Sequence, residues 1–245
     1  MTRAIASARI RLYVDQPLGA GQEVALSDAQ AHYLGNVMRL GSGALVALFN
    51  GRDGEWLAQI ATISRKGAIA VCQAQAAPLR APADLWLLFA PIKKARTDFI
   101  VEKAVELGVA RICPVQTDFT NSERIRQDRL QAHAIEAAEQ CGATHLPEVA
   151  DLRPLARILA AWDTGRALLW ADEGQAGEDG APMPLPPAPA AILIGPEGGF
   201  SPPERARLAA LPCVTTLRLG PRILRADTAA VAALTLWQSA QGDWG

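Results

Sequence analysis

A change of pattern near Asp84 constrains this chain more than any single motif. Before it, apolar segments are short and β-branched or alternating, at residues 10–14, 44–49, 55–63 and 68–73, with turn signals between them. That spacing predicts half-buried strands. Asn50-Gly51 predicts a tight hairpin, and Arg65-Lys66-Gly67 supplies a second turn. One helix interrupts, with Ser27 and Gln30 as a capping box and Tyr33, Leu34, Val37 and Met38 as its apolar stripe. After Asp84, strands alternate with helices, the pattern of a parallel sheet covered on both faces. The expected organisation is a small β-barrel at 1–73, an alanine- and proline-rich linker at 74–83, and an α/β domain at 84–245.

In the second part, strands are expected at 85–90, 111–115, 167–170, 190–194 and 214–219. Helices are expected at 98–107, capped by Thr97, at 128–141, at 202–211 and at 228–238. Phe99, Ile100, Lys103, Ala104 and Leu107 form the stripe of the first. Leu130, Ala134, Ala137, Ala138 and Cys141 form that of the second. Residues 174–189 have no periodicity and read as a surface loop.

Half of the residues are apolar, enough for a sizeable core, and the formal net charge of −1 argues against binding polyanions through global charge. A nucleic-acid contact would need a local basic patch. Cys72, Cys113, Cys141 and Cys213 are far apart, without metal or redox spacing, and read as reduced core residues of a cytoplasmic protein. His32, His133 and His145 do not make a metal site, and no apolar run spans a membrane. The N-terminal residues carry Arg3, Arg9 and Arg11 without the apolar block of a signal peptide.

Two turns carry the chemistry. Gly195-Pro196-Glu197-Gly198-Gly199-Phe200 follows an apolar strand ending at Ile194 and precedes a helix capped by Ser201 and Glu204. Ligands of open α/β sheets bind beyond the carboxyl ends of strands, and glycines there allow close backbone approach. The turn matches neither a dinucleotide fingerprint nor a phosphate-binding loop, so a ligand wall and a purely structural turn both remain open. The second turn, Leu219-Gly220-Pro221-Arg222-Ile223-Leu224-Arg225, joins a strand through Leu217 to a helix that Asp227 or Thr228 can cap. Arginine is the natural partner of phosphate or of a developing anion, although Arg225 could equally pair with Asp227 at the surface. Pro91-Ile92-Lys93-Lys94-Ala95-Arg96 sits at a third strand-to-helix junction, where Lys94 and Arg96 are placed for phosphate.

Taken in order, these segments resemble the ribosomal RNA small-subunit methyltransferase E family, which methylates N3 of a uridine in 16S ribosomal RNA with S-adenosylmethionine. The resemblance rests on His32 to Arg39, Leu48-Phe49-Asn50-Gly51, Lys103 to Val109, Glu136-Ala137-Ala138-Glu139-Gln140-Cys141 and the two C-terminal turns, and it covers nearly the whole chain. It implies a PUA-like barrel followed by an α/β methyltransferase domain of the SPOUT type with a C-terminal trefoil knot. It also implies a homodimer acting on 16S ribosomal RNA or the small ribosomal subunit, with no metal and no membrane.

On that resemblance, the cofactor wall is Leu169, Ile194, Gly195, Pro196, Glu197, Gly198, Gly199, Leu217, Leu219, Gly220, Ile223, Leu224, Arg225, Thr228 and Ala229. Arg225 is the first candidate for stabilising charge on the base, with Glu197 or Asp227 as proton acceptors. Arg9, Arg11, Arg39, Lys94 and Arg96 would position the RNA. The chain departs from the family at Phe119, in Thr117-Asp118-Phe119-Thr120, and at Ala143, both places where an arginine is usual, and at Asp227, which replaces a glutamate. Alternatives are a SPOUT-type enzyme with a different target and a non-catalytic RNA-binding module.

Overall fold

The computed structural model describes residues 8–64, 67–121, 125–175 and 184–244. Arg3, the Arg65-Lys66 turn and much of the loop at 174–189 lie outside them. The chain forms two compact units, Met1–Ala81 with Ala138–Leu146, and Pro82–Ala137 with Pro147–Gly245.

In the first unit, β1 (Arg11–Tyr13), β2 (Glu23–Leu26), β3 (Leu45–Phe49), β4 (Glu55–Ser64) and β5 (Gly67–Ala77) pair in the order β1-β3-β4-β5-β2. β1 runs parallel to β3, and the other pairs are antiparallel. Register shifts along β4 and β5 add twist to the longest ladder. Side chains connect the segments at the two edges of this ladder: the Gln16 amide donates to Ala25 O at 2.8 Å, and the Gln30 amide donates to Tyr13 O at 2.7 Å. Val24, Leu34, Val46, Leu48, Ile60 and Ala70 fill the space within.

Helix α1 (Asp28–His32) starts at the predicted capping box, where the Ser27 hydroxyl accepts from Gln30 N, and it continues as a π-helical turn over Tyr33–Val37. Three sequence expectations need correction here. β5 extends through Ala77, so the first four residues of the predicted linker are paired strand. β2 was hidden by its four-residue length and was not predicted. The β3–β4 connection is a five-residue loop in which Asn50 Oδ1 accepts from the backbone of Arg52 and Asp53, while Gly51 and Gly54 take positive φ.

The second unit is built on a parallel sheet of β12 (Val214–Leu217), β10 (Ala167–Ala171), β11 (Ala190–Ile194), β6 (Leu85–Phe89), β7 (Arg111–Gln116) and β8 (Glu148–Val149), in that order, with β9 (Arg153–Pro154) also on β7. The chain first builds outward from β6 through β7 to β8 and then adds β10, β11 and β12 on the other side. The sheet order therefore reverses between β6 and β11, which makes a crevice beyond Phe89 and Ile194.

Helices α2 (Lys94–Glu106), α3 (Gln127–Cys141), α4 (Leu155–Ala160), α5 (Pro202–Ala209) and α6 (Ala226–Gln241) connect and cover these strands. α6 buries Ala229, Ala230, Ala233, Leu234 and Trp237 and packs on α2 and β11. Each large apolar side chain so buried contributes about 1.5–3 kcal/mol. Its Gln238 amide also donates to the orphan carbonyls of Leu107 and Gly108 at the end of α2.

The helix starts also differ from expectation. α2 begins at Lys94, because Thr97 does not cap it; the Thr97 hydroxyl is buried and bonds both Ile92 N and Ile92 O at 3.0 Å. Its buried face is Ile100, Val101, Ala104 and Val105, so Phe99 points outward. α6 is entered through Arg225, and Asp227 sits inside its first turn. Cys141 is exposed rather than inward, whereas Cys72 and Cys113 are buried. Burial pushes the Cys113 thiol up to about 11, so it has no thiolate character at neutral pH.

Candidate active site

The carboxyl ends of β6, β10, β11 and β12 converge on one crevice. β11 ends at Ile194, where Gly195 to Gly199 turn the chain into α5. The turn is anchored by a reciprocal capping box: Glu204 Oε2 accepts from Ser201 N at 2.9 Å, and the Ser201 hydroxyl accepts from Glu204 N. The same two side chains reach the loop after β7. Glu204 Oε1 accepts from Asp118 N at 3.0 Å, and the Ser201 hydroxyl donates to Asp118 Oδ2 at 2.5 Å. Thr117 N in turn donates to the Thr120 hydroxyl at 2.9 Å, closing residues 117–120 into a fixed turn.

A cavity of about 180 Å³ opens between this loop and the segment after β12. Its walls include Ile194, Gly195, Pro196 and Glu197 on one side and Leu217, Leu219, Gly220, Ile223, Leu224, Arg225 and Ala229 on the other. Eleven residues assigned to a cofactor wall from the sequence thus share one cavity. Asp172 and Glu173, just past β10, also line it and were not predicted, nor were Arg218 and Arg222. Their signal was present: Asp172-Glu173 directly follows an apolar strand, the same position after β10 that Gly195 holds after β11.

Four predicted wall residues are elsewhere. Leu169 is fully buried in the middle of β10, and Thr228 is exposed on the first turn of α6. Gly198 and Gly199 face protein neighbours: a Cβ on Gly198 would lie 3.4 Å from Phe119 Cβ, and one on Gly199, where φ is +70°, would strike the Glu173 carboxylate. Even Gly195, which does line the cavity, lacks a side chain because the Phe200 ring fills that space, at 2.6 Å from a built Cβ. Gly195 and Gly199 are thus required by internal packing, a constraint that the expectation of ligand clearance did not include.

Charge is concentrated at the mouth. Arg96 Nη1, from the first turn of α2, lies 3.0 Å from Glu197 Oε1, and Arg96 Nε lies 3.6 Å from Asp227 Oδ2. Arg225 does not hold Asp227, as one sequence reading allowed. Glu173 and Asp172 are bridged by Arg205 at 2.5 Å each. Beside Glu197 a second cavity of about 250 Å³ is lined by Pro91, Ile92, Lys93, Lys94, Phe119 and Asn121, and it shares Pro196 and Glu197 with the first.

The residues assigned to RNA divide. Lys94 is exposed at the start of α2, and Arg9 and Arg39 are exposed on the first unit, Arg39 at a φ of +54°. Arg11 is enclosed: its Nε pairs with Glu55 at 2.6 Å, and its Nη atoms donate to the carbonyls of Ala138, Glu139 and Ala143. Only 14% of its side chain is exposed, so its donors serve the fold, and its place among phosphate-binding residues is corrected. Among the described residues, no group of three or more His, Cys, Asp or Glu side chains is arranged to hold a metal ion. No described helix is long and apolar enough to cross a membrane.

The family pattern described as RNA methyltransferase domain matches residues 79–238, and that described as RNA methyltransferase PUA domain matches residues 26–71. The ribosomal RNA small subunit methyltransferase E of Rickettsia conorii is 30% identical over 228 residues, 91% of this chain and 93% of the relative. The crystal structure of the enzyme of that name from Neisseria gonorrhoeae, bound to S-adenosyl methionine, superposes with a TM-score of 0.86 at 28% identity, covering 96% of this chain and 99% of that one. A Legionella pneumophila structure with the bound cofactor SAM superposes with a TM-score of 0.84 at 30% identity, covering 96% and 98%.

Proposed function

The chain belongs to the ribosomal RNA small subunit methyltransferase E family, and from that premise we propose that it transfers a methyl group from S-adenosylmethionine to N3 of a specific uridine in 16S ribosomal RNA. The observation that carries this reading is the cavity between the turns after β11 and β12, with Glu197 in its wall and paired with Arg96, which also reaches Asp227. The cavity's chemistry fits the cofactor. Ile194, Leu219, Ile223, Leu224 and Ala229 offer apolar surface suited to a flat adenine, and Glu197 adds a carboxylate to the wall, while the carboxylates of Asp172 and Glu173 are held by Arg205. When bound, this group supplies an already activated methyl.

The protein's tasks are then alignment, exclusion of water, and handling of one proton. The uridine N3 must give up its proton to accept a methyl group, and a carboxylate of the chain would take that proton. Glu197 and Asp227 are the acceptors within the cluster, both oriented by Arg96. Arg225, at the cavity edge, stabilises negative charge that develops on the uracil carbonyl oxygens. Lys94 and Arg96, with Arg9 and Arg39 from the first unit, position the RNA backbone.

The same reading includes a homodimer, a C-terminal trefoil knot and a cytoplasmic location. Nucleoside mass spectrometry of 16S ribosomal RNA from cells lacking the gene tests the assignment. Loss of 3-methyluridine at one position is expected, and its retention would refute the substrate.

A further inference from the structure

The cavity beside Glu197 adjoins the proposed cofactor cavity through Pro196 and Glu197, and its walls are chemically selective. Phe119 is 45% exposed on it, whereas Pro91, Ile92 and Pro196 of the same lining are buried. The ring is not loosely placed. It stands on the fixed turn 117–120, whose Asp118 is bonded to both Ser201 and Glu204 and whose ends are joined through Thr117 and Thr120. Lys93 and Lys94 supply two cations at the opposite wall, Asn121 an amide, and Pro196 and Glu197 the boundary shared with the cofactor cavity.

An acceptor base must reach the methyl group from a space that adjoins the cofactor cavity but is not part of it, and this cavity satisfies that condition. A base taken out of its RNA stack loses stacking that an aromatic side chain can replace. We infer that the cavity lined by Phe119, Lys93, Lys94 and Glu197 receives the target pyrimidine, with the Phe119 ring as its stacking platform and the two lysines on its flanking phosphates. The inference rests on the methyl-transfer reading above and adds to it the binding site for the acceptor.

A Cβ on Gly198 would lie 3.4 Å from Phe119 Cβ, so the ring stands close to the Gly195–Gly199 turn and a plain packing role must be separated from a base-binding one. Methyl transfer to small ribosomal subunits lacking the modification, and calorimetry with S-adenosylmethionine, are measured on Phe119→Ala, Phe119→Leu and Phe119→Tyr. Base–aromatic stacking predicts that Ala and Leu each lower kcat/KM for the subunit by roughly ten- to hundredfold, mainly through KM, while Tyr stays within a few-fold of the parent. Affinity for S-adenosylmethionine should be unchanged in all three. Full activity of Phe119→Leu would overturn the assignment, because an aliphatic side chain cannot stack. A parallel loss of cofactor affinity would overturn it too, by showing that Phe119 buttresses the Gly195–Gly199 turn. A parent protein that binds the cofactor but transfers nothing to the subunit would instead defeat the methyl-transfer reading, and this site with it.

Discussion

Arg96 Nη1 lies 3.0 Å from Glu197 Oε1, across 101 positions of sequence, and the same guanidinium reaches Asp227 Oδ2 at 3.6 Å. The pair exists because β6 and β11 are neighbours at the point where the sheet order reverses, so the first turn of α2 faces the turn after β11. Both partners are partly exposed, and such a pair contributes only about 0.2–1 kcal/mol to stability. Arg96→Ala should therefore melt within a few degrees of the parent while losing roughly 10- to 100-fold in kcat/KM, since two candidate proton acceptors lose their orientation. A melting point that collapses with activity would assign Arg96 to the fold instead.

Arg225 enters α6 at the edge of the cofactor cavity. If it stabilises charge on the base, Arg225→Ala lowers kcat by about 10²–10³-fold, and Arg225→Lys restores only part of it because the planar fork is lost. Single-turnover kinetics at saturating cofactor checks this. An unchanged rate at saturation would move Arg225 from chemistry to RNA binding.

The Phe200 ring occupies the space where Gly195 has no side chain. Gly195→Ala forces a buried aromatic to shift, at a cost of about 1–3 kcal/mol, and distorts the turn that carries Glu197. Weaker binding of S-adenosylmethionine by calorimetry, together with a lower urea midpoint, is the expected pair of results. Gly198→Ala, which meets Phe119 at ordinary van der Waals distance, should be much milder.

Arg11 satisfies three main-chain carbonyls and Glu55. Arg11→Met leaves those acceptors without their donors and should destabilise the protein by about 1–3 kcal/mol. Titration against salt distinguishes this from a phosphate contact: the slope of log affinity for RNA against log salt should match the parent. A slope reduced by about one unit would return Arg11 to the RNA-binding set.

Acid stability has a specific contributor at the start of β6. Arg166, itself buried and stacked 3.9 Å over Trp86, bonds Asp84 at 2.7 Å and holds its carboxyl below the ordinary value of 3.8. A depressed folded-state value adds stability that is present above the unfolded value and lost as pH falls through the folded one. The Asp84 side chain is half exposed, so solvent screening keeps the contribution to about 1 kcal/mol. Asp84→Asn should be less stable than the parent in urea at pH 7, with the gap closing toward pH 3; a gap that widens in acid contradicts the assignment.

Much of this was legible before the structure. Ser27 with Gln30 and Ser201 with Glu204 are local signals, each confined to four residues, and both capping boxes form. The two C-terminal turns lie at strand ends because an apolar run followed by glycine reads the same in sequence and in space. What could not be read depends on distant partners. Thr97 fails to cap α2 because its hydroxyl bonds Ile92. Arg11 is claimed by carbonyls over 120 positions away. Asp172 and Glu173 join the cavity only because β10 lies between β11 and β12. The reasons for Gly195 and Gly199 were also hidden, since a missing Cβ looks the same whether a cofactor or a phenylalanine needs the room.

The first compact unit is closed by Ala138–Leu146, a stretch that follows Ala81 only after a long excursion of the chain. A fragment ending at Ala81 would keep the Arg11 guanidinium, the Gly51 turn and the Arg80 amide but surrender the carbonyls, the Leu146 backbone and the Thr144 hydroxyl that they meet. The small β unit is therefore not a cassette that can be excised and grafted before another enzyme. An exchange between relatives that preserves these contacts moves Ala138–Leu146 together with Met1–Ala81.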